Sequence, residues 1–341
     1  MSTRIPSLDG LRALAILLVL VSHFSNPSNV SHRLYSILEW YGNAGVRFFF
    51  VISGFLITTL LLREREKAGT INLKQFYVRR AYRILPAAYL YMIVITAIFY
   101  ATFSLKDIVV AFTYTTAYAH YRPYVLTHLW SLSVEEQFYL LWPAIIAFNT
   151  VLARRVALYT IVITPMLRLV MFTAGFGESR LLPMSVDALA AGCWLAQLQP
   201  ILMNYRSFFT WRGFGIIWAL TLSIPLLGST GHTRIYQSVC LPMFDIGIVF
   251  CIQNAILARH RVLNAAVPVW IGMVSYSLYL WHMPFSDPDV RSWYTTFPTN
   301  LALALLAAVV SYYAVERPVL RLRDRRSQPR SLQAGPYPES I

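Results

Sequence analysis

The sequence predicts an all-α integral membrane protein of about ten transmembrane helices, with one re-entrant or surface-lying segment near residues 105–120. Three observations predict it. Of 341 residues, 57% are hydrophobic and only 13% are charged, against about a quarter charged in an ordinary soluble domain. Apolar stretches of roughly twenty residues, the length that crosses a bilayer, recur along nearly the whole chain. Lipid leaves backbone N–H and C=O groups no partner but each other, so runs this long and continuous are helices.

The predicted spans are 8–24, 44–62, 84–103, 127–148, 154–174, 181–198, 212–228, 235–256, 263–284 and 298–316. Charge parity decides the status of 105–120. The loop holding Arg63, Arg65, Lys67, Lys74, Arg79, Arg80 and Arg83 belongs inside by the positive-inside tendency. Ten crossings then put Arg154 with Arg155, Arg206 with Arg212, Arg259 with Arg261, and the tail from Arg317 to Arg330 inside as well. An eleventh crossing at 105–120 would send all of these later clusters outside. The expectation is a multi-pass protein of the cell (inner or plasma) membrane with both termini in the cytoplasm. Residues 1–318 form one membrane domain. Residues 319–341, rich in Arg, Ser, Pro and Gln with little apolar periodicity, are expected to form a basic, irregular cytoplasmic tail.

The net charge of +14 sits mostly in short loops and the tail, a pattern that reports topology and contact with an anionic bilayer rather than nucleic acid. Cys193, Cys240 and Cys251 all lie inside apolar runs, and three cannot pair completely. Neither a disulfide framework nor a metal site is expected.

Ionisable residues within spanning helices are costly, so each asks for a function or a partner. Arg12 and His23 are eleven residues apart, three turns plus roughly 20°, and so share one helical face about 16 Å apart along the axis. Asp9 is less than a turn from Arg12 and able to pair with it. His23 at the outer end is a ready proton acceptor. In His128-Leu129-Trp130-Ser131-Leu132-Ser133-Val134-Glu135-Glu136, the two adjacent carboxylates point about 100° apart, so at least one must face the interior. By topology both are expected in the outer half at the depth of His23, with pairing to an interior Arg47 or Arg168 as the structural alternative. Arg80 and Arg83, three apart, lie on one face if the third helix starts early, and guanidinium forks bind phosphate well; anchoring of topology alone would also place arginines there. His282 closes the run Ser275-Tyr276-Ser277-Leu278-Tyr279-Leu280-Trp281-His282 at the outer end of the ninth span. Asp187 is a further buried acid in the outer half.

The stretches SLDGLRALAILLVLVSHF, GVRFFFVISGFLIT, FYVRRAYRILPAAY, HLWSLSVEEQFYLLWP, VDALAAG, SYSLYLWH and VERP, in this order from residue 7 to about 318, resemble membrane acyltransferase family 3, the O-acyltransferases of the O-antigen, exopolysaccharide and macrolide type. The resemblance implies His23 in catalysis, with Arg12, Arg80 and Arg83 binding acyl-CoA. Glu135, Glu136 and His282 join His23 as catalytic candidates. Asp9, Trp130, Ser131, Asp187 and Tyr279 are supporting residues. Many members look to have an arginine two residues before the acid at Asp187, where this chain has Ser185. That departure puts a role for Asp187 in question.

The resulting expectation is transfer of an acyl group, acetyl by the resemblance, from cytoplasmic acyl-CoA to a hydroxyl of a glycan, a lipid-linked sugar or another small molecule. Acyl-CoA is a co-substrate and no bound cofactor is implied. His23 would act as general base with a carboxylate such as Glu135 or Glu136 orienting it; a covalent acyl-enzyme on His23 is a variant. The alternative is a transporter or flippase in which His23, Glu135 and His282 form a proton relay, although no paired halves of the kind that mark many transporters are visible.

Overall fold

The computed structural model describes residues 5–25, 30–119, 122–175, 181–258 and 260–327. Its principal helices are α1 Pro6–Phe24, α2 His32–Ala68, α3 Leu73–Ile98, α4 Leu105–Phe112, α5 Leu129–Phe148, α6 Thr150–Thr173, α7 Asp187–Leu202, α8 Arg212–Thr230, α9 Thr233–Ala258, α10 Ala266–Trp281 and α11 Thr299–Arg325. No strand occurs among the described residues. By length and composition seven helices can cross a bilayer: α1, α2, α3, α6, α8, α9 and α11. The other three that overlie expected spans depart for physical reasons. α7 and α10 have 16 residues each, and α5 interrupts its apolar run with Glu135, Glu136 and Gln137.

α4 has eight residues and is closed at its start by a capping box between Ser104 and Asp107. Eight residues rise about 12 Å, far short of a hydrocarbon core of roughly 30 Å. This segment does not cross as a helix.

Hydropathy marks the membrane, not the helix, and the clearest departures from the predicted limits follow from that. α2 runs for 37 residues, about 55 Å, so its ends project well beyond the lipid. It starts where the Ser31 hydroxyl accepts from the Leu34 N–H and ends at Gly69 with φ 73°, a left-handed stop that glycine adopts without strain. α3 starts at Leu73 with Asn72 as its cap, which carries Arg80 and Arg83 into the helix and onto a common face. At the far end, α11 passes through a π turn at Tyr312–Glu316 and continues as helix over Arg317–Ser327. The π turn ends two residues before Pro318, where the missing N–H breaks a regular ladder. The expected irregular tail from 319 is therefore helical as far as Ser327. Arg259, His120 and residues 328–341 lie outside the described residues.

α2 is the centre of the bundle, packed against α1 on one side and α7 on another. The α2–α7 crossing depends on glycine from both helices. A Cβ on Gly54 would lie 2.0 Å from the Leu189 carbonyl oxygen, and one on Gly192 would lie 2.0 Å from that of Val51. Small residues let backbones approach where lipid supplies no hydrophobic drive for association. This is what the glycines of VISGF and ALAAG do.

The same interior holds a tetrad of charges. The Arg47 Nε donates to Asp245 Oδ1 at 2.6 Å, its Nη2 lies 2.9 Å from Asp187 Oδ1, and Arg168 donates to the other Asp187 oxygen. All four side chains are buried. Two guanidinium groups face two carboxylates, so the tetrad is neutral as a unit. Asp187, with Ser185 two residues before it, draws its guanidinium partners from α2 and α6. It belongs to the framework and lines neither of the cavities described below. The alternative of Glu135 or Glu136 pairing with Arg47 or Arg168 does not occur in the described structure, because Asp187 and Asp245 occupy both arginines.

Reporter fusions at Ser104 and Tyr124 are expected to report the same, outer side of the membrane. Opposite sides would mean that the intervening segment crosses. Asp245→Ala leaves Arg47 buried with one anion fewer, and breaking a buried pair from one side costs about 3–5 kcal/mol. The detergent-solubilised variant should melt well below the parent, whereas an unchanged melting temperature would remove the tetrad from the framework.

Candidate active site

Two joined cavities run into the bundle. The wide one, about 820 Å³, is lined by seven basic side chains, among them Arg12, Arg80 and Arg83, and by three carboxylates, Asp9, Glu64 and Asp324. A narrow one of about 80 Å³ shares Arg12, Ser53, Arg80 and Arg83 with it and runs on between α2, α5 and α10 to Ser131 and Tyr279. The three arginines thus ring the point where the vestibule narrows.

Each is held on one side and open to the cavity on another. Arg12 lies 3.9 Å from Asp9, one turn earlier on α1. Arg80 has its guanidinium 3.8 Å from the centre of the Tyr139 ring and 3.7 Å from Glu135 Oε1, and the Tyr139 hydroxyl donates to the same carboxylate oxygen. Arg83 reaches Glu316 at 2.9 Å, and that carboxylate also accepts from the Ser277 hydroxyl at 3.0 Å. A guanidinium desolvated this far needs an anion or a ring face to remain charged where it is. The surplus of cations over carboxylates in the vestibule gives the cavity a positive field suited to a polyphosphate.

The narrow cavity ends on Tyr279. Its hydroxyl is 2.6 Å from Ser131 Oγ and donates to the His128 carbonyl at 3.1 Å. The Tyr279 ring packs on two histidines, with centroids 5.5 Å from His128 and 5.6 Å from His282. His282 in turn lies 4.9 Å from His23 and 5.5 Å from His128. Three imidazoles, from α1, from the C-cap of α10 and from the turn before α5, therefore meet behind one tyrosine.

Hydrogen bonds fix two of the tautomers. His23 Nδ1 lies 3.0 Å from the Val19 carbonyl and His282 Nδ1 lies 2.8 Å from the Tyr279 carbonyl. A carbonyl can only accept, so each Nδ1 carries a proton, and in the neutral ring each Nε2 presents a lone pair. The Nε2 of His282 is buried with no hydrogen-bond partner among the described residues. Both rings are thus set up as proton acceptors. Among the described residues no set of His, Cys, Asp and Glu side chains is arranged to hold a metal ion.

The sequence pattern placed Glu135 at the depth of His23; the structure places it beside Arg80. His128, immediately before α5, meets the histidine cluster, and Glu135 is seven residues further along. Seven residues are nearly two turns, about 10 Å on the same helical face, so Glu135 cannot orient His23. Its neighbour Glu136 lines neither cavity, and its buried Oε1 has no hydrogen-bond partner among the described residues. Trp130 packs its ring on Phe50 at 6.2 Å, supporting the wall from behind. Three residues of this region were not singled out by the sequence: His128, Glu316 and, in the tetrad, Asp245. The spacing of His128 from Glu135 is a helical-face signal that could have found it.

The family model of the acyltransferase domain matches residues 5–316. Among curated relatives, the peptidoglycan O-acetyltransferase OatA of Listeria monocytogenes is 28% identical over 92% of this chain and 56% of its own length. The O-acetyltransferase OatA of Staphylococcus aureus is 29% identical over 92% of this chain and 57% of its own. The chain thus spans a little over half the length of these relatives. No solved structure matches it. With the match running from residue 5 to residue 316, through Arg12, Arg80 and Arg83 and through the histidine cluster, the chain belongs to the acyltransferase domain family.

Proposed function

We propose that the chain is a membrane-embedded O-acyltransferase that moves an acetyl group from acyl-CoA, bound at the arginine end, to a hydroxyl of a glycan reaching the histidine end. The observation that carries this reading is the pair of joined cavities, which leads from Arg12, Arg80 and Arg83 to Tyr279, whose ring packs on His128 and His282 with His23 beside the latter. The arginine end is then the cytoplasmic one, where acyl-CoA is made. The printed name of the Listeria relative speaks of peptidoglycan, which favours a glycan over the lipid-linked sugar or small-molecule acceptors that the sequence leaves open.

The donor's diphosphate sits among the three arginines and its pantetheine arm follows the narrow cavity. The thioester then reaches Tyr279, the boundary of the histidine cluster. The acceptor hydroxyl gives its proton to the His23 Nε2 as its oxygen attacks the thioester carbonyl; the C–S bond then breaks, and the departing thiolate takes that proton back from His23 to leave as CoA-SH, restoring the neutral imidazole. The carbonyl of Val19 keeps the His23 Nδ1 protonated, leaving Nε2 for the acceptor's proton. A proton relay through His23, Glu135 and His282 is less well served, because roughly 10 Å of helix separates Glu135 from the imidazoles.

In membranes supplied with labelled acetyl-CoA, with envelope glycans read by mass spectrometry, His23→Gln should lose about two to four orders of magnitude in transfer rate. Gln keeps size and hydrogen bonding but accepts no proton, so near-normal transfer would end the general-base role. Arg83→Gln should weaken donor binding by about tenfold or more, the usual value of a charge-assisted contact. Unchanged donor affinity would return Arg83 to the task of holding Glu316.

A further inference from the structure

We infer that the outer part of the vestibule is a second phosphate site, a cradle for the 3′-phosphate of the donor, built by Arg63 and Lys67 of α2, Arg79 of α3 and Arg323 of α11. This rests on the acyl-CoA reading and goes beyond it, since the expected donor arginines include none of these residues and only Arg79 of the four falls within a family motif, FYVRRAYRILPAAY.

Position within the cavity makes the first argument. Arg12, Arg80 and Arg83 line both cavities, whereas Arg63, Lys67, Arg79 and Arg323 line only the wide one. A donor with its arm in the narrow cavity and its diphosphate at the shared arginines must leave its other end, the adenosine ribose with its phosphate monoester, in the wide part. About 820 Å³ is room enough for a nucleotide, within the range of ordinary ligand pockets.

Charge makes the second. Arg79 is paired with Glu64 at 2.7 Å, and Arg323 with its neighbour Asp324 at 2.7 Å. Arg63 and Lys67, one turn apart on the same face of α2, make no ion pair among the described residues, although both line the cavity. Four cations against two carboxylates leave two positive charges. A phosphate monoester near neutral pH carries about −1.5 to −2, and its oxygens suit guanidinium forks.

The fold makes the third. Arg323 is on the part of α11 that continues past the π turn, and this extension packs against α3 and lines the vestibule with Leu320, Arg323 and Asp324. A helix that merely anchored the chain to the bilayer surface would have no reason to close one wall of this cavity.

The same phosphate chemistry could come from an anionic lipid headgroup, so the test separates the two sources. Dissociation constants of CoA and 3′-dephospho-CoA are measured for the full chain in phosphatidylcholine nanodiscs, and again with phosphatidylglycerol added. The parent is expected to prefer CoA by about tenfold or more in both lipids, and Arg323→Ala and Lys67→Ala are expected to bring the ratio toward one. A shortfall of folded protein alters the number of sites but not the ratio of the two constants. Variants that keep the parent's ratio, or a parent with a ratio near one, overturn the cradle while leaving CoA as the donor. A parent that binds neither nucleotide overturns the donor reading and the cradle with it. A preference lost on adding phosphatidylglycerol gives the site to a lipid headgroup and also overturns the inference.

Discussion

A guanidinium inside a membrane protein must be given its counter-charge by the fold, and most of this structure is arranged around that requirement. Arg47 and Arg168 meet it in a closed tetrad with Asp187 and Asp245, four side chains from α2, α6, α7 and α9 with no net charge. Such a unit fixes which helices can be neighbours, because any other arrangement would leave a charge buried alone. Arg12, Arg80 and Arg83 meet the requirement differently. Each has a carboxylate within 4 Å, yet their cavity as a whole carries more cations than anions. The first arrangement is complete in itself. The second keeps a surplus of positive charge, which the proposed donor would complete.

The glycine crossings serve the same end. The VISGF and ALAAG segments let α2 and α7 touch through their backbones, close enough for Arg47 to reach Asp187 on the adjoining helix. Gly272 does the equivalent between α10 and α1, since a Cβ there would lie 1.9 Å from the Asp9 carbonyl oxygen. That contact brings Ser275, Tyr276 and Tyr279 of α10 to the cavity that Arg12 lines from α1. Packing and chemistry therefore share residues, and a larger side chain at Gly272 would move the vestibule wall along with the helix.

Much of this was legible in the sequence because the membrane simplifies the reading. Apolar length gives the helices, and each charge within them stands out. Arg12 and His23 could be placed on one face from a count of eleven residues; in the structure Arg12 lines both cavities and His23 packs against His282. What was not legible was depth. Topology put Glu135 in the outer half, but the start of α5 is set by the turn at His128, and two turns of helix separate the motif's histidine from its glutamate. Helices α2 and α3 likewise begin outside the bilayer, where hydropathy carries no signal and only the caps at Ser31 and Asn72 mark the ends. Partners were the other blind spot. No one-dimensional pattern tells that Asp245 would meet Arg47 across 198 residues.

On the proposed function, depth also accounts for a division of labour in the site. Phosphate recognition calls for permanent cations in a wetted vestibule, while a neutral imidazole that accepts a proton calls for distance from those cations, whose field would oppose its protonation during the reaction. The stripe on α1 provides that distance: about 16 Å of helix between Arg12 and His23, with Glu135 and Tyr139 beside Arg80 in the interval. Tyr279 then separates the two environments, one face toward the cavity and its ring against His128 and His282. A ligand long enough to join them, as the proposed donor is, carries its anionic end and its reactive end into different surroundings, so different residues meet each end.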